Sequence, residues 1–110
     1  MISGIEGKAV YLSAPMTGMP DFNRDALEAA ERECWLSGAI GVYNPKSLIG
    51  MGLTHEQCMA TDLKALFDMG DLADVVLVQL PGWRKSEGAR LEHAVAVACG
   101  IEIKEVNIDA

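Results

Sequence analysis

The run Ala73-Asp74-Val75-Val76-Leu77-Val78-Gln79-Leu80 constrains this chain most, because apolar side chains fall on odd and even positions alike. Successive side chains of a strand point to opposite faces, so such a run is stable only where both faces are covered. That is the situation of a central strand in a parallel sheet. It therefore demands helices above and below, and the rest of the chain supplies them. Short β-branched runs alternate with longer stretches of helical period, and no repeat or low-complexity linker interrupts them.

The pattern predicts a strand over 9–13, a helix over 22–37, a strand over 40–43 and a helix opening at Thr54. It goes on to a strand over 73–80, a helix capped by Ser86 and stopped at Gly100, and a last strand over 101–106. Asp21 or Asn23 is available to cap the first helix, whose inner stripe is Ala26, Ala30 and Cys34. Thr54 and Gln57 are spaced as a capping box, and Leu53 and Cys58 as a hydrophobic staple. Met59, Leu63, Leu66 and Phe67 then form the core stripe of the second helix, and Asp62 falls within it. The body of the third helix, 91–99, is apolar almost all round, so burial on several sides is expected. The expected architecture is an α/β three-layer sandwich, flavodoxin- or Rossmann-like, with a four- or five-stranded, mainly parallel sheet in one domain over residues 1–110.

Sixteen acidic against nine basic side chains give a formal charge of −7, which repels a nucleic-acid polymer. A small anion is still acceptable, because backbone N–H groups at a helix start hold it without help from net charge. Cys34, Cys58 and Cys99 form no C-x-x-C pair and read as reduced core thiols. Nowhere do eighteen uncharged apolar residues follow one another, so no membrane partner is expected and the expected location is cytoplasmic. At this length a subunit interface readily adds stability and completes a shallow site, so a homodimer or higher homo-oligomer is expected.

Ligands of open parallel sheets bind beyond the carboxyl ends of the strands, where the loops 14–20, 44–53 and 81–86 converge on one crevice. Ser86, Gly88 and the free N–H groups of the first helical turn make an anion cradle there; Ser86 reads equally well as a plain N-cap. Glu92, one turn further on, faces partly inward, as does Asp62. Each is either paired structurally or part of a site. Two inward carboxylates beside one crevice suit glycosyl transfer, in which one attacks or stabilises the anomeric carbon and the other assists the leaving group. Trp83 is placed to stack on a base or to serve as a lid or interface residue. His55 and Cys58 have a ligand-like spacing, but no third or fourth ligand stands nearby, so neither metal nor cofactor is expected.

Taken together, Tyr11-Leu12-Ser13-Ala14-Pro15-Met16-Thr17-Gly18, Asn44-Pro45, Thr54-His55-Glu56 with Met59 and Asp62-Leu63, and Leu80-Pro81-Gly82-Trp83 with Ser86-Glu87-Gly88-Ala89 and Glu92 resemble the DUF4406 domain family. That family is a phage and bacterial branch of the nucleoside 2-deoxyribosyltransferase-like superfamily. The spacing Ser86-x-Gly88-x-x-x-Glu92 is also similar to the superfamily's nucleoside 5′-monophosphate N-glycosidases. The resemblance implies Glu92 as the nucleophile, Asp62 as the group that protonates the departing base, and Tyr11 as the residue that orients Glu92 or the sugar. By the same resemblance Ser13 and Gly18 line the pocket, with Asn44 and Trp83 at its edges, and Ser86 and Gly88 hold a 5′-phosphate. Ala14 departs from the branch's usual glycine, and Thr17 stands where the monophosphate hydrolases carry a basic residue. The expected activity is hydrolysis of a nucleoside or nucleoside 5′-monophosphate. The alternatives are deoxyribosyl transfer, a non-catalytic nucleotide-binding or sequestering protein, and a structural interaction module.

Overall fold

The computed structural model describes residues 2–107, Leu72 by its backbone alone. Four strands, β1 (Ala9–Ser13), β2 (Gly41–Tyr43), β3 (Val75–Gln79) and β4 (Glu102–Glu105), pair in parallel in the order β2-β1-β3-β4. Helices α1 (Arg24–Leu36), α2 (His55–Leu72) and α3 (Glu87–Cys99) cover the sheet. This is the expected three-layer α/β sandwich, with the four-strand version realised.

Alternation along the central strands decides which helix meets which face. Val10, Leu12, Val76 and Val78 share one core with Leu27, Ala30 and Cys34 of α1. The other parity, Tyr11, Val75 and Leu77, packs with Leu66 of α2 and Ala96 of α3. Every residue of β3 is buried, as a strand covered on both faces must be. From β1 the chain runs through α1 to β2 on one side, then returns through α2 across β1 to β3. The direction of winding thus reverses between β1 and β3, and the carboxyl ends of strands at such a reversal are where open parallel sheets bind ligands.

Local chemistry sets the element ends. Thr54 Oγ1 accepts from the Gln57 N–H at 3.1 Å while Gln57 Oε1 accepts from the Thr54 N–H at 2.8 Å, closing the capping box. Ser86 caps α3 by accepting from the Ala89 N–H at 3.2 Å. Gly82 takes φ +85°, where a Cβ would come within 3.4 Å of Pro15, so the loops after β1 and β3 lie against each other. No described helix is long and apolar enough to cross a membrane.

Four expectations change. The first helix opens at Arg24, because Asp21, Phe22 and Asn23 adopt left-handed φ values of 47°, 54° and 63° and form a short turn of opposite hand. Each such residue other than glycine costs about 1–2 kcal/mol, and the turn leaves Phe22 half exposed. The third helix is buried on one side only: Ala89, Glu92 and Ala96 face inward, whereas Leu91 and Val97 are exposed. α2 lies beside α3 on the same face of the sheet and leaves its outer side open. Of the three thiols only Cys34 is a core residue; Cys58 is half-buried and Cys99 exposed, and all three are free. On α2, Phe67 of the expected core stripe is likewise exposed.

Removal of the capping box tests how firmly α2 is anchored. Thr54→Ala is expected to cost about 1 kcal/mol and to lower Tm by roughly 3–6 °C for a domain of this size. Thermal unfolding of Thr54→Ala, Gln57→Ala and the double variant checks it. Their effects combine to less than the sum if the two hydrogen bonds are reciprocal.

Candidate active site

The parallel register places equivalent side chains of neighbouring strands side by side. Tyr11 of β1 lies opposite Tyr43 of β2, and Ser13 lies opposite Gln79 of β3. Ser13, Tyr43 and Gln79 end their strands, and Tyr11 stands at the middle of β1. The tyrosine rings stack with centroids 5.0 Å apart and 17° between planes. Their hydroxyls reach two different helices: Tyr11 donates to Glu92 Oε2 of α3, and Tyr43 donates to Asp62 Oδ1 of α2 at 2.7 Å. Ser13 donates to the other oxygen of Glu92, Oε1, at 2.9 Å. Glu92 and Asp62 are 5% and 8% exposed, so neither carboxylate is solvated like a surface acid.

Burial dominates the titration of these groups. It pushes the Glu92 carboxyl up to about 7, against the pull of the Tyr11 and Ser13 hydroxyls and with help from the nearby Asp62 charge. Asp62 is also raised by burial, and the Tyr43 hydrogen bond opposes the rise. Tyr11 is held far above the ordinary phenol range, first by burial and then by the Glu92 charge beside it, so it acts as a permanent donor. Tyr43 is raised in the same way, by burial and then by its bond to Asp62.

Of the residues singled out in the sequence, Tyr11, Ser13, Asp62 and Glu92 meet in one cluster. Gly18 sits on the exposed loop after β1, with φ +82°. Ser86 Oγ accepts the cap bond of α3, and Gly88 packs tightly against α2, since a Cβ there would come within 3.0 Å of Met59 Sδ. Asn44 is used internally: its amide donates to the Leu27 carbonyl at 3.2 Å and to Glu31 at 3.0 Å, and its oxygen accepts from the Lys46 N–H at 3.0 Å. Trp83 is buried, stacks on His93 at 4.3 Å, carries the Arg84 guanidinium 4.7 Å over its ring, and donates to Glu105 at 2.7 Å. It pins the loop after β3 to β4.

Three members of the network escaped the sequence reading: Tyr43, Gln79 and His93. A signal existed for two of them. Gln79 is the one uncharged polar residue in an otherwise apolar buried run, and Tyr43 is a second tyrosine on a strand of the predicted sheet, as Tyr11 is. No buried side-chain N or O atom among the described residues lacks a partner. A separate cleft lined by Lys8, Phe67, Asp74, Cys99 and Glu102 opens at the amino-terminal end of the sheet and holds none of these groups. Among the described residues no three His, Cys, Asp or Glu side chains are gathered as metal ligands would be.

The raised Glu92 carboxyl makes stability depend on pH. Between its ordinary 4.5 and about 7 the folded chain keeps a proton on Glu92 that the unfolded chain has released. Stability therefore falls as pH rises through this window, by about 3 kcal/mol in all, and levels off above it. Urea unfolding of wild type and Glu92→Gln between pH 4.5 and 8 checks this: the variant, lacking the ionisable group, has the flatter profile and is the more stable protein above pH 7.

A family model described as "Domain of unknown function (DUF4406)" matches residues 8–105, a span from just before β1 to the end of β4. No curated protein and no solved structure matches the chain.

Proposed function

The chain belongs to the DUF4406 family, and from the site this member carries we propose that it is an N-glycosidase acting on a nucleoside or nucleoside 5′-monophosphate. The observation that supports this reading is a buried Glu92 carboxylate gripped at both oxygens by Tyr11 and Ser13, with a second buried carboxylate, Asp62, close enough to perturb it. A pair of carboxyl groups in environments that raise both proton affinities, at the carboxyl edge of a parallel sheet, suits glycosidic cleavage. The resemblance to the nucleoside 2-deoxyribosyltransferase-like superfamily names the bond.

In the proposed reaction an oxygen of Glu92 forms a bond to the anomeric carbon. The C–N glycosidic bond breaks, and its electron pair leaves with the base, which takes a proton from the Asp62 carboxyl. Water then attacks the anomeric carbon of the glycosyl ester, Asp62 recovers a proton from that water, and the free sugar departs as Glu92 is regenerated. Tyr11 and Ser13 hold the carboxylate plane throughout. Between the two substrate forms the unphosphorylated nucleoside is favoured, because Thr17 leaves the facing loop without a cation. The exposed Leu91 and Val97 on the outer side of α3, the helix that carries Glu92, give a second subunit an apolar surface to cover.

Ribo- and deoxyribonucleosides and their 5′-monophosphates, incubated with the purified protein, are expected to release free base. Glu92→Ala abolishes release, and Asp62→Asn lowers kcat by about 10²–10⁴-fold. The rate rises with pH through about 7 as Glu92 ionises. Unchanged turnover in Glu92→Ala rejects the nucleophile, and tight binding without turnover in wild type replaces the enzyme with a nucleotide-sequestering protein.

A further inference from the structure

Gln79, the last residue of β3, is fully buried, and each end of its amide is engaged. Nε2 lies 3.1 Å from the Ala89 carbonyl of α3 and 3.3 Å from Ser13 Oγ of β1, while Oε1 lies 2.7 Å from His93 Nδ1. The Ala89 carbonyl can only accept. The amide nitrogen must face it, because the flipped amide would set oxygen against oxygen. Oε1 consequently faces His93, and Nδ1 of that ring must be the donor.

The rest of the chain of bonds follows. Ser13 Oγ receives an N–H from Gln79, which leaves the Ser13 hydrogen to point at Glu92 Oε1, 2.9 Å away. Every bond from His93 through Gln79 and Ser13 therefore runs in one direction and ends on the carboxylate. The direction is insensitive to the charge on His93, since Nδ1 carries hydrogen in this neutral tautomer and in the imidazolium alike. Stacking on Trp83, which is itself tied to Glu105, holds the imidazole where Gln79 needs it.

We propose that Gln79 is a positioning residue that fixes the Ser13 hydroxyl as a donor to Glu92, with His93 locking the Gln79 amide in the one orientation that allows it. Its catalytic consequence rests on the N-glycosidase reading; its effect on the Glu92 carboxyl does not. The groups that face Glu92 are Tyr11 and Ser13 from β1 and Asp62 from α2, with Tyr43 of β2 within electrostatic reach, and only the Ser13 bond passes through Gln79. Loss of Gln79 thus removes one of the two donors that oppose protonation of Glu92.

The Glu92 carboxyl is followed by carbon-13 NMR of glutamate-labelled full-length protein, its signal assigned by its loss in Glu92→Gln. Wild type is expected to titrate at about 7. Gln79→Met, which keeps length and removes both N–H donors, and Ser13→Ala each raise the midpoint by about one pH unit, a tenfold change in proton affinity. The double variant moves it no further than the larger single change, because both act through one hydrogen bond. A midpoint unmoved by Gln79→Met, or additive shifts in the double variant, overturns the proposal. Should Gln79→Met fail to fold, His93→Phe keeps the stack on Trp83 and removes the donor to Oε1. A raised midpoint there supports the proposal and an unmoved one overturns it. Where base release is measurable, Gln79→Met moves the pH dependence of kcat upward by the same interval. Absence of turnover in wild type rejects the N-glycosidase reading, and the titration still decides the role of Gln79.

Discussion

The carboxyl edge of this sheet is organised around the cost of burying two carboxylates. An acid removed from water must be neutralised or given donors, and among the described residues no cation is bonded to either one; a tyrosine is in each case. Parallel pairing puts Tyr11 and Tyr43 at matched positions, so their rings stack and their hydroxyls emerge together on the face covered by α2 and α3. Glu92 must then lie on the inner side of α3 and Asp62 on the inner side of α2. The capping box that fixes where α2 starts, and the Ser86 cap that fixes where α3 starts, set the rotation of each helix about this pair of rings.

What could be read from the sequence was whatever depends on local periodicity. The apolar run at Val75 to Leu80 gave the central strand, the Thr54 and Gln57 spacing gave the start of α2, and the helical angle turned Asp62 and Glu92 inward. What could not be read depends on register between distant segments. Ser13 and Gln79 are 66 residues apart and become neighbours only when β1 pairs with β3. The start of α1 was hidden for another reason: Asp21 and Phe22 adopt a left-handed turn without glycine, so no residue type announced it. The outer side of α3 misled because composition reports how apolar a helix is but not whether anything covers it.

The polar residues at the carboxyl edge of the sheet divide by what their hydrogen bonds hold. Asn44 uses both ends of its amide on α1 and its own turn, Trp83 uses its single N–H on Glu105, and Ser86 Oγ accepts the cap bond of α3. These hold loops in place. Glu92 differs, because an ionised carboxylate has about four lone-pair positions and the Tyr11 and Ser13 hydroxyls occupy one on each oxygen. The clamp fixes the plane of the carboxylate while leaving each oxygen a further pair of electrons.

Opposed influences on Glu92 have complementary consequences for the proposed reaction. Burial alone would make the carboxylate a strong base and a good nucleophile, but it would also make it a poor leaving group from its own glycosyl ester. The hydroxyls of Tyr11 and Ser13 lower its proton affinity and so slow attack, yet the same two donors stabilise the carboxylate as it departs when water releases the sugar. The balance leaves the group at about 7, where it is ionised over part of the neutral range and more basic than a solvated glutamate. In such a two-step reaction a site that favoured either extreme would accelerate one step at the expense of the other. A donor whose direction is fixed by a buried amide, rather than by a rotating solvent molecule, keeps that balance constant through both steps.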